Sequence, residues 1–245
     1  MINLSDYNFK YEPYPYVILK NIFNYEFYKK IITEFPDNKE FHKSDYGKSK
    51  AIGKFNKFQL DNFLSPNFKQ VINEKENLKK LYSFINSENF INIINNFLKD
   101  NYIDLSIKIQ KNFIKKILTK KQYKIYFELS SIPCNNGFIA AHTDSPQKII
   151  TCIIPIVDED SEILKLENVG TTILTTDNIK YKYNFQNITV PLDQTKKIHY
   201  VDFLPNQMML FVKTHNSLHS VGPIIAKEKK DLFRKSINIS IVKQF

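Results

Sequence analysis

The sequence predicts an α+β chain, mainly β, with its helices in the first hundred residues and its strands in the rest. Apolar residues recur at helical spacing between residues 24 and 100. From Ile103 onward, short runs of β-branched and aromatic residues alternate with turns rich in Asn, Gly and Pro. A chain of 245 residues with 42% hydrophobic content can bury one substantial core. One domain is therefore expected over 1–245, with supporting helices in 1–100 and a β region carrying the site in 101–245.

Asn3 to Asn21 reads as extended, because the prolines at 13 and 15 bias their predecessors away from helix. Asn24 to Phe35 reads as a helix, with Phe27, Ile31, Ile32 and Phe35 on one apolar stripe ended by Pro36. No period holds from Asp37 to about Asn62, and this stretch is expected to be loop. Ser65 or Asn67 can cap a helix whose apolar positions run from Phe68 through Leu78 and Leu81 to Phe84. Ser87 and Glu88 suit a second start, with Phe90, Ile91, Ile94 and Phe97 facing inward to near Asp100.

Ile103 to Ile109 alternates and predicts a strand, Lys111 to Lys121 reads as either a short basic helix or a loop, and Tyr123 to Ser131 is strand-like. Pro133 to Gly137 is a turn that delivers Phe138 into the next strand. Lys148 to Val157 is a long β run, Asp158 to Glu167 interrupts the sheet, and Gly170 to Leu174 resumes it. Thr175 to Lys197 is a polar excursion expected to form a hairpin and to shape substrate choice. Lys197 to Phe203, Met208 to Lys213 and Ile237 to Val242 supply the remaining strands.

The chemistry gathers at Ala141-His142-Thr143-Asp144 and at Ser217-Leu218-His219. A strand turns residues i and i+2 to one face, so His142 and Asp144 converge. Alone, the pair is also what a strand-end histidine bonded to a turn aspartate would look like. A second imidazole from a neighbouring strand would make two histidines and one carboxylate on one side of a metal, the set suited to non-heme iron(II) with open positions. His219 is the candidate, since it follows the apolar run Met208 to Val212 and precedes Val221-Gly222-Pro223. His215 sits in a turn and is the competing choice; it is otherwise expected to line the pocket as a substrate contact. His199 reads as structural or exposed.

The order His142-x-Asp144, then His219, then Arg234-Lys235-Ser236 resembles the 2-oxoglutarate- and iron(II)-dependent oxygenases. Glu12 to Asn21, and Phe27-Tyr28 to Phe35-Pro36, resemble the opening of the prolyl-hydroxylase-like branch. The resemblance implies a double-stranded β-helix, or jelly roll, braced by N-terminal helices. It also implies iron(II) on His142, Asp144 and His219, and use of 2-oxoglutarate and oxygen, with ascorbate as an in vitro reductant. Arg234 would pair with the far carboxylate of 2-oxoglutarate, as a planar guanidinium matches a carboxylate with two hydrogen bonds; Ser236 would assist. A charged insertion, 226–231, lengthens the spacing from His219, and a shifted register would put Lys235 or Lys229 in that role. Tyr126 and Thr151 fall where relatives place contacts to the co-substrate, though a tyrosine in a strand also serves as core. Lys148 is a candidate substrate contact, and Lys111 to Lys121 would lie near the jelly-roll mouth as a flap.

A net charge of +10 favours anionic partners. The lysines are scattered rather than built around a reading element, which argues against specific nucleic-acid recognition. The substrate is expected to be a small molecule or a peptide: an amino acid, a peptide side chain, or a sugar or lipid headgroup. Two cysteines, Cys134 and Cys152, make no disulfide framework, and no apolar run is long enough to cross a bilayer, so a cytoplasmic protein is expected. Two other classes fit part of this pattern: a cupin-type metal enzyme, which needs no Arg234, and a basic, non-catalytic binding protein, which needs no triad.

Overall fold

The computed structural model describes residues 2–43, 57–105, 107, 122–226 and 231–244. Its strands are β1 (Tyr7–Lys10), β2 (Tyr16–Lys20), β3 (His42–Lys43), β4 (Phe58–Asp61), β5 (Gln122–Pro133), β6 (Ile139–His142), β7 (Lys148–Ile156), β8 (Thr171–Thr175), β9 (Lys196–Val201), β10 (Gln207–Val212), β11 (His219–Val221) and β12 (Phe233–Gln244). The helices are α1 (Tyr25–Glu34), α2 (Phe68–Asn73), α3 (Glu76–Ile85), α4 (Glu88–Asp100) and α5 (Ile179–Lys182).

Two sheets form, with strand orders β1-β2-β10-β7-β12-β5-β4-β3 and β6-β11-β8-β9. From β5 onward the chain passes back and forth between them, so β5-β12-β7-β10 opposes β6-β11-β8-β9. This is the double-stranded β-helix, with β1 to β4 added to both edges of the larger sheet. Every pairing is antiparallel, and β12 is inserted between β5 and β7 along its length.

Residues of β5 and β12 have two buried faces with different chemistry. Ile125, Phe127 and Leu129 of β5, and Ile237, Ile239 and Ile241 of β12, belong to a core shared with α1 to α4. Phe127 packs at 6.1 Å from the Phe68 ring and 5.3 Å from that of Tyr82. Burial of such a ring is worth roughly 2–3 kcal/mol. The alternate residues Glu128, Ser130, Arg234, Ser236 and Ser240 are buried too, and Asn238 is half-buried, but they are polar and belong to the opposite face. Between the sheets, Tyr14, Tyr16, Met209 and Phe211 pack against Ile173 and Val201. At one end, Gly222 (φ +69) closes on the turn before β6, and a Cβ there would lie 2.5 Å from Gly137 O.

Four local expectations need correction. The stretch 37–62 is not all loop, since β3 and β4 add two strands to the sheet edge. The helix expected from residue 65 into the mid-eighties breaks at Lys75 (φ −113, ψ 97). The Glu34 carboxylate explains the restart of α3: it accepts from Asn77 N at 2.7 Å and Leu78 N at 3.0 Å, capping the helix from a distant element. Residues 103–105 and 107 are not in a strand, and the excursion 175–197 is a hairpin only at its base, where Thr175 pairs with Lys196; between them lie α5 and a 3-10 turn (Leu192–Gln194). The segments 111–121 and 227–230 lie outside the described residues.

Candidate metal centre

Pairing of β6 with β11 places His219 opposite His142. Asp144 follows just beyond β6 at φ +70, a left-handed conformation that costs an L-residue on the order of 1 kcal/mol. Its neighbours hold it there. The Thr143 hydroxyl donates to Asn184 O at 2.8 Å, and Val190 N donates to Ala141 O at 2.8 Å. The Ser217 hydroxyl lies between Thr214 O at 3.0 Å and Thr143 O at 3.2 Å. The candidate ligand atoms of His142, Asp144 and His219 consequently lie within 4.8 Å of one another.

Both imidazoles are oriented in the same way. His142 Nδ1 lies 2.9 Å from Ala140 O and His219 Nδ1 2.9 Å from Ser217 O. With Nδ1 as donor, Nε2 carries the lone pair of His219, as a metal requires, and the Nε2 of His142 lies 3.6 Å from Asp144 Oδ1. The Phe211 ring, 4.7 Å away, packs on His219, and Tyr14 behind it donates to Leu218 O at 3.1 Å. Burial, then the neighbouring His142, pushes the His219 pKa down to about 3, so this ring is neutral at physiological pH. Burial alone would raise the Asp144 carboxyl. The Lys148 ammonium, a hydrogen bond from His142 and the two imidazoles hold it well below the usual carboxylate range.

A cavity of about 480 Å³ opens on the three side chains. Arg234 lines the same cavity and is 2% exposed. Its Nε donates to Val169 O at 2.6 Å, and the guanidinium lies 4.4 Å from the centre of the Phe203 ring. Burial lowers its pKa to about 10. Among the described residues no carboxylate pairs with it. A buried cation without a counter-ion is costly, and an anion entering the cavity would relieve that cost.

The other candidates from the sequence are distributed unevenly. Lys148 and Thr151 both reach Asp144, Lys148 Nζ at 2.7 Å from Oδ1 and Thr151 Oγ1 at 2.8 Å from Oδ2, so each holds the carboxylate. Tyr126 lines the cavity and donates to Glu128 Oε2 at 3.0 Å. Ser236 is buried outside the cavity lining and donates to Asn238 Oδ1 at 3.2 Å. His215 does not line the cavity; it packs with the rings of Tyr183 and Phe185 at 5.2 and 5.4 Å. Lys235 lies on the opposite face of β12, over the Phe35 ring at 5.4 Å. His199 is exposed and stacks on Tyr16.

Sequence reasoning missed a polar wall of the cavity. Lys57 Nζ donates to Glu128 Oε1 at 2.6 Å, and Asn238 Nδ2 donates to the same oxygen at 2.6 Å. Gln59 completes that wall, and Asn187 faces the cavity from the excursion after β8. The Asn187 Oδ1 is buried and has no hydrogen-bond partner among the described residues. A signal was present: polar residues alternate with isoleucine, phenylalanine and leucine along two strands too apolar to be exposed on either face. Such a pattern marks a strand whose second face borders a cavity.

No protein-family model matches the chain, and no curated protein matches it in sequence. Solved structures match it in fold. One is a prolyl hydroxylase from Trichoplax adhaerens, in complex with a peptide fragment of the hypoxia inducible factor oxygen degradation domain. It is 10% identical, with a TM-score of 0.50 over 93% of this chain and 83% of that one. A prolyl 4-hydroxylase from Phytophthora capsici is 15% identical, with a TM-score of 0.50 over 93% of this chain and 58% of that one. The jelly-roll fold is thus the one these hydroxylases use, here with a His, Asp, His cluster on its inner face.

Proposed function

We propose that this chain is an iron(II)- and 2-oxoglutarate-dependent oxygenase that hydroxylates an unactivated C–H bond. The observation that carries the reading is Arg234, a buried guanidinium that has no carboxylate partner among the described residues and lines the same cavity as the His142, Asp144 and His219 cluster. A cupin-type metal site gives no reason to bury that charge. The donor set fits iron: two imidazoles and an ionised carboxylate converge, and the cavity lies open beside them.

His142, Asp144 and His219 would hold the metal, and Arg234 would grip the far carboxylate of 2-oxoglutarate. With oxygen, the loaded site supplies the oxidation in which R–H, 2-oxoglutarate and O2 become R–OH, succinate and CO2. The protein's own groups orient and enclose. Thr151 and Lys148 fix both oxygens of Asp144. Ile139, Ile153 and Val221 line the cavity with apolar surface and exclude water. The surplus of positive charge draws anions, 2-oxoglutarate among them. Cys134 and Cys152 are unpaired and buried, which supports a reducing, cytoplasmic setting. No helix among the described residues is long and apolar enough to cross a membrane.

The test is succinate formation from 2-oxoglutarate with iron(II), oxygen and ascorbate, comparing wild type with His142→Ala and Arg234→Ala. Turnover without added substrate, lost in both variants, is the expected result. Absence of turnover together with absence of 2-oxoglutarate binding to the anaerobic, metal-loaded protein overturns the reading.

A further inference from the structure

Resting on that reading, we infer that the substrate is a free α-amino acid, its carboxylate taken by Lys57 and its ammonium by Glu128. Both residues line the cavity that holds the metal cluster, and their side chains are 15% and 6% exposed. A buried ion pair adds little to stability compared with apolar packing, so its place on a cavity wall calls for another reason. The pair offers one. An ammonium and a carboxylate 2.6 Å apart match the spacing of the two charged groups on one α-carbon, and with opposite sense. A zwitterion docked against it makes an alternating ring of four charges.

Unused bonding capacity points the same way. Among the described residues Lys57 has one acceptor, Glu128, for three N–H groups, and Glu128 Oε2 accepts from Tyr126 alone. A cavity of about 480 Å³ shared with the co-substrate leaves room for a small molecule that enters whole. Charges this far from solvent favour such a ligand over a chain that carries neither charge at the reacting residue.

The experiment offers the twenty L-amino acids, with N-acetyl and C-amide forms of each, to the protein in two assays. Calorimetry on the manganese- and 2-oxoglutarate-loaded protein reads binding; mass spectrometry on the iron-loaded protein in air reads addition of one oxygen. At least one free amino acid should bind and gain oxygen, and both of its blocked forms should bind on the order of 100-fold more weakly, the scale of unpairing a buried charge. Glu128→Gln should erase the preference for the free amine, and Lys57→Met the preference for the free acid. These preferences are ratios within one variant, so partial loss of folding does not mimic them. Binding with these preferences but without oxygen addition keeps the amino-acid site and removes the oxygenase. Turnover of 2-oxoglutarate with no amino acid bound, or with blocked and free forms bound alike, overturns the inference and leaves the oxygenase standing.

Discussion

Replacing Arg234 by methionine should move two measured quantities in opposite directions. The fall of the guanidinium from the ordinary arginine value to about 10 corresponds to about 3 kcal/mol of cost for keeping the charge in the ligand-free protein. Methionine removes that cost with little loss of volume. It also removes the Nε bond to Val169 O and the contact with the Phe203 ring, each worth about 1 kcal/mol. The net is a gain of roughly 1 kcal/mol, or a rise in Tm of about 2–4 °C for a chain of this size. Affinity for 2-oxoglutarate should meanwhile fall on the order of 100-fold, because a buried carboxylate loses its partner. Thermal unfolding of the manganese-loaded protein, with and without 2-oxoglutarate, reads both effects. Wild type should gain Tm on adding the co-substrate, and Arg234→Met should start higher and gain almost nothing. Lys235→Met, on the opposite face of β12, should respond as wild type does. An undiminished co-substrate response in Arg234→Met would falsify the assignment of the anion anchor, and a lost response in Lys235→Met would move it one residue along.

Further outcomes follow from the same geometry. Thr151→Val removes a bond to Asp144 Oδ2 and should weaken manganese binding about 10- to 100-fold by calorimetry, whereas Thr151→Ser should retain most of it. Asp144→Ala should abolish metal binding outright, with the fold preserved by circular dichroism. The Cys134 and Cys152 thiols, pushed up to about 11 and about 12 by burial, should resist iodoacetamide at pH 8 and both react in denaturant. Burial opposes ionisation of Glu128, yet Lys57 and Asn238 hold its pKa below that of an unfolded glutamate. Its stabilising contribution is therefore complete above pH 4.5 and fades as pH falls through the folded value. Acid titration of Glu128→Gln should show a shallower loss of stability in that range than wild type.

The fold class was legible because long elements repeat their signal. The apolar run of β7, the alternation of isoleucine with polar residues in β12, and the apolar stripes of α1 and α4 all lie in elements of nine residues or more. The meeting of His142, Asp144 and His219 was legible for a different reason: two of them stand two residues apart at the end of a strand, and the third begins a strand that pairs with it, although Asp144 sits just past β6 in a left-handed conformation rather than on the strand face. What escaped depends on distant partners. The break between α2 and α3 is made by Glu34, more than forty residues earlier. Lys57 and Glu128 are separated by 71 residues, and β4, which brings Lys57 in, is four residues long and shows no period of its own. Ile103 to Ile109 illustrates the converse error. Its alternation satisfies a local rule, yet residues 103–105 and 107 pair with no strand.

The position of β12 has a consequence for how the molecule comes into being. This strand lies inside the larger sheet, flanked by β5 and β7, and in chain order it follows every other described strand. A nascent chain can present all three candidate metal ligands while the sheet behind them is still split in two. Arg234 and Asn238 arrive only with the final dozen residues of the described chain. Closure of the jelly roll and arrival of Arg234 in the cavity are therefore one event. A ribosome that stalls after His219 releases a product with loose candidate ligands and two unpaired β edges, a substrate for aggregation and proteolysis.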